Sequence, residues 1–203
     1  LQKRFDAYTM VKHPVFGRNL ELARSFRHVP GLIVECGVWR GGMSAALATV
    51  IGLDRRYYLF DSFEGLPAPK ELDGQKAKEW SAGADPETFL DNCRAEQETA
   101  AEAMRLAGAK NFKLVKGWFD QTLPQFQPPE PIAILRLDGD WYDSTMCCFT
   151  HLYDKVTPGG VIIIDDYHAW EGCTRAVHDF LSQRKSAEPV KQFDNILAYI
   201  IKQ

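Results

Sequence analysis

The chain lacks the usual marks of a membrane, nucleic-acid or oxidised secreted protein. No stretch approaches the ~18 consecutive apolar residues of a membrane-spanning helix, and residues 1–17 have no apolar core of signal-peptide type. No basic run offers the footprint of a nucleic-acid binder, since 24 Lys and Arg stand against 27 Asp and Glu, a net charge of −3. The five cysteines, Cys36, Cys93, Cys147, Cys148 and Cys173, show no CxxC spacing and an odd count, and several lie in apolar stretches where a reduced thiol packs as a small core residue. A soluble, cytoplasmic protein with no membrane or nucleic-acid partner is therefore expected. The GxGxxG spacing of dinucleotide folds is also missing, which disfavours a hydride-transfer cofactor. No internal repeat or low-complexity tract is present, and with no Met at position 1 the native N-terminus is expected to lie upstream.

What is there is an alternation of short β-branched runs and helical stretches over 203 residues, the pattern of one doubly wound α/β domain covering 1–203. Gly31 to Cys36 reads as the first strand, followed by a glycine turn and a helix over Ser44 to Ile51. Arg56 to Phe60 gives a second strand with Asp61 at its end, and the spacing matches a βαβ unit. Residues 1–28 read as a helical or lid segment. Residues 64–85, rich in Gly, Pro, Lys and Glu without apolar periodicity, read as a mobile lid loop. An amphipathic helix is expected over Pro86 to Leu106, a strand over Phe112 to Val115, a helix over Ser144 to Lys155 and another over Cys173 to Gln183. Pro158-Gly159-Gly160 reads as a turn, and Val190 to Ile201 as a β-hairpin around Asp194-Asn195.

Two apolar runs end in paired acids: Ile132 to Leu137 leads into Asp138-Gly139-Asp140, and Val161 to Ile164 leads into Asp165-Asp166. Continuous apolar runs are strands buried on both faces of a parallel sheet, and such sheets bind ligands beyond the carboxyl ends of their strands. Four carboxylates then converge, and their repulsion calls for a cation between them or for a proton on one of them. A divalent metal is the leading expectation. A Gly139 turn can bring Asp138 and Asp140 to one cavity, with His168 as a rival base. Glu35, at the first strand end, suits a ligand ammonium such as that of S-adenosylmethionine, and Asp61 suits the ribose hydroxyls. The plainer readings pair Glu35 with an arginine such as Arg40, and make Asp138 or Asp165 a helix cap and Asp143 the N-cap of its helix.

The ordered segments Val34-Glu35-Cys36-Gly37-Val38-Trp39-Arg40-Gly41-Gly42, Leu59 to Pro67, Gly117-Trp118-Phe119 with Thr122-Leu123-Pro124, Leu137 to Thr145, and Pro158-Gly159-Gly160 before Asp165-Asp166-Tyr167 resemble the macrocin O-methyltransferase family over about residues 9 to 200. The resemblance implies a Rossmann-like class I methyltransferase fold, with a mostly parallel seven-stranded sheet closed by a C-terminal β-hairpin. It implies methylation of a sugar hydroxyl with S-adenosylmethionine and Mg²⁺. Carried over by position, Glu35, Gly37, Asp61 and Ser62 are cofactor contacts, Trp118 and Phe119 belong to the adenine pocket, and Thr9 and Met10 lie near the methionine end. Asp138, Asp165 and Asp166 become metal ligands and Asp140 the general base, with His168 retained as a second catalytic candidate. The expected acceptor is a sugar or glycoside, and a homo-oligomer is compatible. A catechol-type O-methyltransferase and a non-catalytic S-adenosylmethionine-binding protein are the competing expectations. Antibiotic-tailoring members of that family tend to be longer, with an extra N-terminal segment and a larger lid, which leaves the acceptor open.

Overall fold

The computed structural model describes residues 1–83 and 89–203. Seven strands form one sheet: β1 (Leu32–Cys36), β2 (Arg56–Asp61), β3 (Asn111–Lys116), β4 (Ile132–Leu137), β5 (Val156–Ile164), β6 (Lys191–Phe193) and β7 (Leu197–Ile201). Their spatial order is β3-β2-β1-β4-β5-β7-β6. The first five run parallel, while β7 is antiparallel to β5 and β6 to β7. The order reverses between β1 and β4, and a crevice opens at such a switch point beyond the strand ends. Glu35 faces Arg136 in the β1–β4 register.

Each face of the sheet is covered by helices. Helices α1 (Val15–Ser25), α2 (Gly42–Ile51) and α4 (Gln97–Ala107) close one core, which includes Ile33, Leu47 and Met104. Helices α5 (Tyr142–Leu152) and α6 (Glu171–Gln183) close the other around Phe149, Leu135 and Phe180. Strands β1 and β4 are buried at every position, which is why they read as apolar runs broken only by Glu35 and Arg136. The hairpin forms as its sequence predicts, with Asp194 and Asn195 both at positive φ, as a type I′ turn requires.

Several expectations are corrected. Within 64–85, a 3₁₀ turn at Glu71–Asp73 leads into helix α3 (Gly74–Ser81), and residues 84 and 85 lie outside the described residues. That helix buries Ala77 and Trp80 against Trp141, a distant partner that local periodicity cannot reveal. Of the helix expected over Pro86 to Leu106, residues 86–88 lie outside the described residues; a 3₁₀ turn at Leu90–Cys93 with Asp91 and Asn92 at positive φ interrupts it, and helix α4 runs from Gln97. Pro158-Gly159-Gly160 is part of β5 rather than a turn before it, with Gly159 at φ +80° and the β4–β5 register shifting between Ile132 and Ile134. Asp143 is not an N-cap. Helix α5 starts two residues earlier than expected, at Tyr142, Asp73 Oδ1 accepts from the Tyr142 N–H at 2.7 Å, and Asp143 pairs with Lys70 at 2.5 Å. Among the described residues no helix is long and apolar enough to cross a membrane.

Candidate active site

Beyond the carboxyl ends of β1, β2, β4 and β5 lie two adjoining cavities of about 360 Å³ and 580 Å³, which share Gly37, Asp61, Gly65, Leu66 and Asp138. Ser62, Trp118 and Phe119 line the smaller one. Thr9, Met10, Glu35, Asp140, Asp165, Asp166 and His168 line the larger one. All the expected site residues therefore meet in one cleft.

The smaller cavity is shaped by turns that the chain closes on itself. Asp61 Oδ2 accepts the backbone N–H groups of Val38 and Trp39 at 2.7 and 2.8 Å, and Oδ1 accepts that of Phe63 at 2.6 Å. A carboxylate has about four lone-pair sites, so these three bonds leave one, at Oδ1, rather than a free pair of oxygens. Ser62 Oγ donates to the Gly65 carbonyl at 2.9 Å and accepts from Glu64 N–H. Gly37 has φ +90°, and a Cβ there would lie 1.7 Å from the Asp138 carbonyl oxygen, so only glycine lets β1 pass β4 this closely. The segment 64–73 roofs this cavity: Trp141 Nε1 donates to Pro67 O at 2.8 Å, and Asp73 ties the roof to the start of α5.

In the larger cavity the acids collect around a cation that the sequence reading missed. Arg136, fully buried in β4, places Nη1 at 2.6 Å from Glu35 and 2.8 Å from Asp138, and Nη2 at 3.0 Å from Asp165. The partner of Glu35 is thus Arg136 and not Arg40, whose guanidinium stacks over the Trp39 ring at 4.4 Å. Ser44 Oγ also donates to Glu35. Burial nevertheless pushes the Glu35 carboxyl up to about 7 against the pull of Arg136 and Ser44. Alternation places Arg136 and Asp138 on one face of β4. The lone Arg in Ile-Ala-Ile-Leu-Arg-Leu was the available signal, but its partners emerge only from the strand register.

One guanidinium does not offset five acids. Burial, opposed by Arg136, and then the Asp165 charge raise Asp138 to about 6; burial and the charges of Asp140 and Asp138 raise Asp166 further. Asp138, Asp165 and Asp166 offer oxygens that all lie within 4.8 Å of one another, a set of hard donors that fits a small divalent cation. Asp140 is half-buried at φ +58°, so the left-handed residue of this turn is the aspartate itself rather than Gly139. Its N–H donates to Asp166 Oδ2 at 2.9 Å, and its Oδ1 accepts Trp170 Nε1–H at 2.8 Å. Burial, followed by the Asp138 charge, pushes its carboxyl up to about 8. Trp170 is set in turn by Trp141 and Trp80, with centroids 5.0 and 6.1 Å away, and by Lys76 Nζ at 4.8 Å. His168 is exposed at the cavity wall and packs edge-on against Tyr167.

The family model for macrocin O-methyltransferase (TylF) matches residues 7–202. This chain belongs to the macrocin O-methyltransferase family. Among similar proteins, "8-demethyl-8-(2,3-dimethoxy-alpha-L-rhamnosyl)-tetracenomycin-C 4'-O-methyltransferase" of Streptomyces olivaceus is 34% identical over 181 residues, with 82% of this chain and 64% of the relative covered. "Demethyldecarbamoylnovobiocin O-methyltransferase" of Streptomyces niveus is 33% identical over 203 residues, with 95% and 70% covered. The chain thus spans 64% and 70% of the lengths of these two relatives. The solved structure of the O-methyltransferase NovP superposes with a TM-score of 0.79 at 28% identity, covering 97% of this chain and 82% of that one. The fold is the class I methyltransferase fold, with the C-terminal hairpin completing the sheet as expected.

Proposed function

We propose that the protein is an S-adenosylmethionine-dependent, divalent-cation-dependent O-methyltransferase that acts on a hydroxyl of a sugar or glycosylated small molecule. The observation that carries this reading is the meeting, in one cleft, of the Asp138, Asp165 and Asp166 carboxylates with Asp140 beside a second cavity bounded by Asp61 and Trp118. The names of the relatives in the same family support the acceptor class.

S-adenosylmethionine supplies an electrophilic methyl group on a sulfonium centre. Trp118 and Phe119 would flank its adenine, the remaining lone pair of Asp61 Oδ1 would accept from a ribose hydroxyl, and Thr9, Met10 and Glu35 line the cavity that would take the methionine end. Asp138, Asp165 and Asp166 would hold Mg²⁺, a Lewis acid that would make the acceptor hydroxyl easier to deprotonate. Asp140 takes the hydroxyl proton. Trp170 Nε1–H holds Asp140 Oδ1 and would leave Oδ2 to take that proton. His168, exposed and away from these hydrogen bonds, is left a lesser part at the cavity wall. Trp141, which lines the smaller cavity, packs edge-on against Trp80 and Trp170.

The test is methyl transfer from labelled S-adenosylmethionine to a panel of glycosides and catechols, with products read by mass. A glycoside gaining one methyl group is the expected result. Turnover confined to catechols, or none with any acceptor while the cofactor still binds, contradicts the proposal.

A further inference from the structure

Asn19 is polar yet fully buried, and it lies in α1, 146 positions before the acid it meets. Its amide works at both ends. Oδ1 accepts Arg136 Nε–H at 3.0 Å, while Nδ2 donates to Asp165 Oδ1 at 2.7 Å and to the Val15 carbonyl at 3.2 Å. The orientation is forced, because a guanidinium can only donate and an ionised carboxylate can only accept. Aspartate here would set another anion against Asp165, and leucine would fill the volume while offering neither bond.

Through this amide the first helix reaches the acid cluster. Asn19 grips Asp165 at Oδ1, Arg136 approaches the same carboxylate at Oδ2, and Arg136 also holds Asp138 Oδ2. Each of these oxygens keeps a further lone pair. The amide N–H and the guanidinium that hold these carboxylates are donors and offer a cation no lone pair.

We propose that Asn19, acting with Arg136, is a positioning residue that sets the Asp165 carboxylate for a divalent cation, which makes α1 part of the cation site. The inference rests on the divalent-cation reading above and extends it to a residue outside the ligand set. Loss of such outer partners typically costs 10–100-fold in metal affinity or activity, because the ligand must then be ordered at the expense of binding.

The experiment titrates Mg²⁺ by calorimetry into protein saturated with S-adenosylhomocysteine. It compares wild type with Asn19→Leu, Asp165→Asn and the double variant, and Asn19→Ala gives the same reading if the leucine variant does not fold. Asn19→Leu is expected to weaken Mg²⁺ binding by roughly 10–100-fold with S-adenosylhomocysteine affinity unchanged. In the Asp165→Asn background it adds no further loss, since it acts through that carboxylate. Wild-type Mg²⁺ affinity in Asn19→Leu, or an equal fall in affinity for both ligands, overturns the inference and leaves the cation reading standing. A wild-type protein that binds S-adenosylhomocysteine but no Mg²⁺ overturns the cation reading and this inference with it.

Discussion

Replacing Arg136 with methionine keeps much of the side-chain volume but removes the one buried cation among the acids. Arg136 is fully buried, its partner Glu35 is 1% exposed, and Glu35 Oε1 sits 2.6 Å from Nη1. Breaking a buried pair by removing one member costs about 3–5 kcal/mol, because the other charge stays without compensation. For a domain of this size that corresponds to a fall in Tm of roughly 6–20 °C. The loss depends on pH in a definite direction. The folded Glu35 carboxyl is already raised from 4.5 to about 7, so its contribution to stability is full below the unfolded value and is lost as pH rises through the folded one. Without Arg136 the folded value climbs further, and the window of loss extends above pH 7. Thermal unfolding followed by circular dichroism at pH 5.5 and pH 8.5 should therefore show a small deficit in the acid sample and the full deficit in the alkaline one. A deficit equal at both pH values, or a Tm matching wild type at pH 8.5, would refute the reasoning.

Two further perturbations probe the cleft. Gly37→Ala forces a side chain to φ +90° and into the Asp138 carbonyl, and the strain and overpacking together should cost roughly 2–6 kcal/mol in equilibrium unfolding; a variant as stable as wild type would show that β1 and β4 can separate freely. Trp170→Phe keeps the aromatic cluster but removes the N–H held by Asp140. A hydrogen bond to a charged group contributes about 1.5–3 kcal/mol, so kcat should fall roughly 10–100-fold with the KM for S-adenosylmethionine unchanged. An unaltered kcat would remove Trp170 from the account of the base.

The parts of the fold legible in the sequence are those set by local patterns. Ile132 to Leu137 and Val161 to Ile164 could be read as strands because they are buried on both faces, and Asp194-Asn195 could be read as a turn because both residues tolerate positive φ. The acids at the strand ends followed from the same logic, since a parallel sheet gathers its strand ends on one side. What stayed hidden depends on partners far along the chain. Helix α3 is held by Trp80 against Trp141 and Trp170, and its polar surface gave no period to read. Arg136 was visible as a lone charge in an apolar run, but only the register that sets it opposite Glu35 makes it the counter-ion of the acids. Asn19, in a short helix near the start, carried no signal until the fold brought it against Asp165. The lost cap at Asp143 has the same origin, because Asp73 of the roof segment takes over the first N–H of α5.

The clustered carboxylates are proposed to serve methyl transfer by holding a divalent cation. This role is tested most directly by following transfer of labelled methyl from S-adenosylmethionine to a glycoside acceptor with EDTA present, and again after Mg²⁺ is restored. Chelation should abolish transfer, Mg²⁺ should return it, and Asp165→Asn should stay slow with the cation supplied. Full transfer in EDTA by both wild type and Asp165→Asn would contradict this role.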